Sequence, residues 1–189
     1  MCTPVPHHVL KLLIFRFERS LFMTFIQNKK FLSYIKPFSF LPAIMVMCLI
    51  FSFSSQNGTE SGSLSHSISL QIIQIGNSVF HQDLSDRELE HYADRIEIPV
   101  RKLAHMTEYC VFSLTILFPL YLYGVRGKHL LLFTLVFCVC FAASDEFHQS
   151  FVAGRGPSIK DVLIDSIGGS IGTTIGYRIT KYFKRRSHK

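Results

Sequence analysis

Arg101, Lys102, His105 and Glu108 fall within eight residues, and Asp145, Glu146, His148 and Gln149 within five. Arg155, Asp161 and Asp165 follow soon after. Guanidinium and ammonium groups bind phosphates and carboxylates. Histidines beside carboxylates can move protons, or offer nitrogen and oxygen donors to a metal ion. All of these groups are costly where the surrounding chain crosses a bilayer, so their presence there calls for a reason.

The surroundings are apolar. Of the 189 residues 48% are hydrophobic, 18 are Phe and only 17% are charged, against roughly 25% in an average soluble domain. Mean hydropathy is +0.28. The apolar residues come in blocks, which points to a bilayer rather than a large soluble core. A net charge of +7 is concentrated at the two termini and one short turn, a distribution suited to anionic lipid headgroups. No zinc-finger, RNA-recognition or helix-turn-helix pattern is present, so nucleic acid is not an expected partner. Of the five cysteines, Cys48, Cys110, Cys138 and Cys140 lie inside apolar blocks and Cys2 outside them. The odd count and the spacing suit neither a disulfide framework nor a metal site.

Four stretches are expected to span: Pro37–Phe53, Val100–Tyr123, Leu130–Gln149 and Asp161–Tyr182. The first is slightly short against the roughly 20 residues a bilayer needs. The second would measure about 36 Å as a helix, with Pro119 inside it, which membrane helices tolerate. Residues 1–36 form a basic segment whose apolar part is broken by charges, so it is expected to lie on the membrane surface. No cleavable signal peptide is apparent there, and Met23 offers an alternative start. Residues 37–182 make the membrane domain and 183–189 a basic tail.

Between the first two spans, Leu64, Ile68, Ile72, Ile75 and Val79 recur at helical spacing. Leu84-Ser85-Asp86-Arg87-Glu88-Leu89 carries a capping-box signature, followed by an apolar stripe ending at Pro99. Two short amphipathic surface helices are expected. The fold is thus all-α: a four-helix transmembrane bundle with amphipathic surface helices between spans one and two.

The N-terminal segment, the 124–129 turn and the tail are basic, whereas Glu60, Asp83, Asp86, Glu88, Glu90, Asp94 and Glu97 outnumber Arg87 and Arg95 between the first two spans. The positive-inside rule then places both termini in the cytoplasm. In that topology Gln56, Arg101, Lys102, His105, Glu108, Asp145, Glu146, His148, Gln149, Arg155, Asp161 and Asp165 gather at the outer face. Arg101, His105 and Glu108 share one helix face, as do Asp145, His148 and Gln149, and Asp161 and Asp165. Pairing of Arg101 or Lys102 with Asp145 or Glu146 is expected, and of Arg155 with Asp161 or Asp165. Gly168, Gly172 and Gly176 continue the last ladder and allow another backbone close, more often within one chain than in a dimer.

Three uses of this layer compete. Gly154-Arg155-Gly156 before a helix offers amides and a guanidinium to an anion. The histidines and carboxylates could do acid/base or metal-assisted work on a phosphate ester, although no zinc-protease helix, nucleophile elbow or phosphate loop is present. No catalytic residue or metal site follows from the pattern. The plainest use is that of a structural or interaction subunit, whose charged layer only holds the bundle in register, which each hydrogen bond does only weakly.

The motifs resemble the VanZ-like family of bacterial membrane proteins. The matching pieces are Phe53-Ser-Ser-Gln56, Arg101-Lys-Leu-Ala-His105 with Glu108-Tyr109, Asp145-Glu-Phe-His-Gln149, Gly154-Arg155, and Asp161 followed by the glycines from Gly168. Asp165 stands where the family pattern leads one to expect Asn. The resemblance implies a multi-pass protein of the bacterial cell membrane and a link to teicoplanin resistance. It further implies that an outward site would meet lipid-linked cell-wall precursor or the glycopeptide itself.

Overall fold

The computed structural model describes residues 33–34 and 36–187. The expected basic surface segment lies almost entirely outside these residues. The chain divides into residues 1–40 and 41–189. In the first unit a 3-10 turn covers Lys36–Phe38.

Among the described residues, the regular elements of the second unit are all helices: α1 Leu41–Ser54, α2 Gly58–Val79, α3 Asp86–Leu122, α4 Gly127–Gln149 and α5 Ile159–Ser187. By length and composition Lys36–Ser54, Asp86–Leu122 and Gly127–Gln149 can cross a membrane, each holding an 18-residue stretch whose mean hydropathy is 1.9, 1.3 and 1.9 in turn. α5 falls below that mark because Asp165 and Arg178, together with Gly, Ser and Thr, interrupt its apolar residues. One face of it is apolar and open: Leu163, Ile167, Ile171, Ile175 and Ile179 recur every fourth residue and are all exposed.

Asn57 caps α2, its Oδ1 accepting from the Glu60 amide at 2.8 Å. At the start of α3 the Glu88 carboxylate takes the Ser85 amide at 2.9 Å and its hydroxyl at 2.7 Å, the reach-back expected from the sequence. The next expectation is corrected. Pro99 does not end a surface helix; α3 runs straight through it for 37 residues, about 55 Å. The proline forfeits the bond to the Arg95 carbonyl, but both residues are exposed, so that carbonyl can find another partner outside the helix. Only α2 is a separate amphipathic helix.

The core joins α1, α3 and α4. Ala43 and Ile50 meet Tyr109, Phe112 and Ile116, and these meet Cys138, Phe141 and Ala142. Phe141 is its hub, 5.1 Å from the Phe51 ring and 4.8 Å from that of Phe112. The largest helix contact is between α3 and α5. A Cβ on Gly168 would enter the Met106 backbone, and one on Gly172 the Cys110 carbonyl and the Ser113 hydroxyl. One on Gly176 would press on Leu114 and Leu117 at 3.0–3.3 Å. All three glycines therefore serve packing within the chain.

Candidate functional site

Continuity of α3 places Glu97 one turn before Arg101, and the two side chains form an ion pair. Arg101 Nε also donates to Ser65 Oγ of α2 at 3.2 Å. One residue on, Lys102 pairs with Asp161 of α5. The expected pairing of Arg101 or Lys102 with Asp145 or Glu146 is therefore not made. A helix that stopped at Pro99 would take Glu97 off Arg101's face; the i−4 spacing of Glu97 is the signal that finds it.

Asp145 is fully buried and serves a different partner set. Its Oδ2 accepts from Ser54 Oγ at 2.7 Å and from Gln149 Nε2 at 3.0 Å, and Gln149 Nε2 also lies 3.1 Å from Ser54 Oγ. This knot ties α1 to α4. Asp145 Oδ1 is buried without a hydrogen-bond partner. His148 leaves the group: its ring stands edge-on to Phe51, centroids 5.2 Å apart, in the α1–α4 contact.

Glu146 takes the role the sequence reserved for a ligand. Its Oε2 accepts the Ser158 amide at 2.8 Å, just before α5 begins. The Arg155 amide is also spent, on the Val152 carbonyl at 3.1 Å. The 154–156 turn thus offers fewer open amides than expected. The turn itself is pinned to α2: Gly58 donates to the Ala153 carbonyl at 3.2 Å, and a Cβ on Gly58 would lie 2.5 Å from the Gly154 oxygen. Gly154 adopts φ +76°, a region that favours glycine.

That pin holds Arg155 at the site. Its expected pairing with Asp161 or Asp165 is not made; its one near acceptor is the Phe53 carbonyl, at 3.5 Å, beyond a good hydrogen bond. Asp161 is already engaged by Lys102, which leaves Arg155 without a carboxylate partner among the described residues. Burial first, then the nearby Arg101 charge, push its guanidinium below the ordinary value, opposed by Asp145 and Glu146.

A cleft of about 280 Å³ opens here between α3, α4 and α5. Of the residues nominated from sequence, Arg101, Lys102, His105, Glu146, Gln149, Arg155, Asp161 and Asp165 line it, with Ile98, Ile164, Gly154 and Gly156. A neighbouring recess of about 210 Å³ holds Gln56 and Glu108, and shares Arg101, His105 and Arg155 with the cleft. His105 Nδ1 and Glu108 Oε2 are 3.7 Å apart, and neither has a hydrogen-bond partner. Asp145 and His148 line neither space. Among the described residues, no His, Cys, Asp and Glu side chains are grouped to hold a metal ion.

Fold and site together define a helical membrane protein with a charged cleft at one end of its helices. The chain belongs to the VanZ/LLP1 family, whose model matches residues 39–180. No curated protein and no solved structure matches it.

Proposed function

We propose that this protein crosses the cell membrane four times with both termini cytoplasmic, and that its cleft binds an anionic lipid-linked cell-wall precursor or a glycopeptide at the outer face. Such binding would raise tolerance to teicoplanin-type antibiotics. The observation that carries the reading is Arg155, a partly buried guanidinium beside Arg101, held at a pocket with no carboxylate of its own. A ligand phosphate or carboxylate would supply the missing partner. The cleft also displays Asp161, Asp165 and Gln149, acceptors suited to hydroxyl and amide donors. A precursor that joins a phosphate to sugar and peptide has both halves of that chemistry. The open apolar face of α5 supports the fourth crossing, since lipid is the solvent such a stripe fits.

Purified protein titrated with lipid-linked precursor, with teicoplanin and with phosphatidylglycerol tests the reading. Arg155→Ala is expected to weaken the best of these ligands about tenfold or more, the worth of a charged hydrogen bond. Equal binding by both proteins would sink it.

One observation favours a second reading, a hydrolase or transferase acting on a lipid phosphate. His105 and Glu108 face each other without partners beside the cleft, as a general acid/base pair would before substrate arrives. Turnover of a lipid phosphate that is lost in Glu108→Gln while binding persists would establish it.

A further inference from the structure

A second cavity, of about 510 Å³, opens at the other end of the bundle. Between residues 105 and 121 α3 advances about 24 Å, so the two spaces face opposite ends of the helices. Lys181, Lys184 and Arg185 from the last turns of α5 line one side of it, and Tyr121, Gly127 and Leu130 the other.

Among the described residues the charge at this end has one sign. No Asp or Glu occurs from 109 to 144 or from 166 to 189. Among the described residues, Lys181, Lys184 and Arg185 enter no ion pair. Arg126 is already committed. It stacks 3.6 Å from the Tyr121 ring centroid and donates to the carbonyls of Tyr121 and of Val125, the latter at 2.9 Å. It closes the last turn of α3 and leaves the three α5 cations to face a ligand.

The start of α4 adds a second, independent feature. Gly127, at φ +61°, opens a helix of 23 residues, and no side chain caps its first amides. Open amides and the positive end of a helix dipole favour a phosphate. Leu130, Tyr121 and Tyr177 give the same cavity apolar walls.

We propose that this cavity binds an anionic phospholipid. Its phosphate would lie between the α5 cations and the first amides of α4, with its acyl chains leaving past Tyr177. Basic pockets between membrane helices hold anionic headgroups in this manner. The site is separate from the cleft at Arg155 and does not depend on its ligand.

Full-length protein in a non-ionic detergent, mixed with phosphatidylglycerol or phosphatidylcholine, can be assayed for bound lipid by native mass spectrometry. Phosphatidylglycerol should be held about tenfold more tightly, and the double variant Lys181→Gln, Lys184→Gln should lose about that factor. The double variant Lys128→Gln, Arg178→Gln removes the same charge from exposed positions at the same end but outside the cavity. It should bind as the parent does. Equal losses in the two variants would mean diffuse attraction to the surface and would overturn the site, as would equal retention of both lipids. All four positions are exposed, and melting of each variant checks that the fold persists; should the first variant melt early, Arg185→Gln alone replaces it, with the same two outcomes.

Discussion

The contact between α3 and α5 has two regions built on opposite rules. Along Gly168, Gly172 and Gly176 the helices touch backbone to backbone, and missing side chains make the fit. Within about a turn and a half of Met106, at His105, Lys102 and Arg101, the same helices part and leave a cleft lined by charges. The difference separates what holds the bundle from what the bundle holds. In lipid there is little hydrophobic force between helices, so close packing must do the joining. The charged end contributes few direct bonds between α3 and α5: the Lys102–Asp161 pair is the one ion pair joining them among the described residues. Charges spent on cohesion would meet each other, and Arg155 meets none.

The comparison can be broken first at the seam. Gly172→Val must push α5 off the Cys110 carbonyl and should cost about 3 kcal/mol or more, read as loss of folded protein in detergent. A mild effect would mean the helices slide easily. Next comes the polar group that does join helices. Asp145→Ala takes the acceptor from the buried Ser54 O–H and leaves Gln149 with Ser54 alone, and should cost about 2 kcal/mol in denaturant titration. Gly176→Ala meets only the ends of Leu114 and Leu117, which can shift, so its cost should stay below about 1 kcal/mol. Last, Glu97→Gln removes a half-exposed pair within one helix and should change the melting transition by no more than about 0.5 kcal/mol.

The gathering of charged residues was legible because they repeat at three and four along single helices. Arg101, Lys102, His105, Glu146, Gln149, Arg155, Asp161 and Asp165 reach one cleft as that pattern requires. What failed was local and physical. A proline usually marks a helix end, yet Pro99 sits where its lost bond falls at an exposed face, so α3 continues and Glu97 captures Arg101. His148 shares the ladder of Asp145 and Gln149, but packing against Phe51 turns it aside. Glu146 fills the amide at the start of α5, a role decided by the approach of α4. The Gly58–Gly154 contact that positions Arg155 joins residues far apart in sequence and has no local signature.

The central claim is that Arg155 is held for a ligand and not for the bundle. Arg155→Ala, compared with the parent for thermal melting and for precursor or glycopeptide binding in the same preparation, addresses it directly. The account expects an unchanged melting temperature with binding reduced about tenfold or more. A lowered melting temperature with binding intact would contradict it, and would make the guanidinium one more prop of the helices.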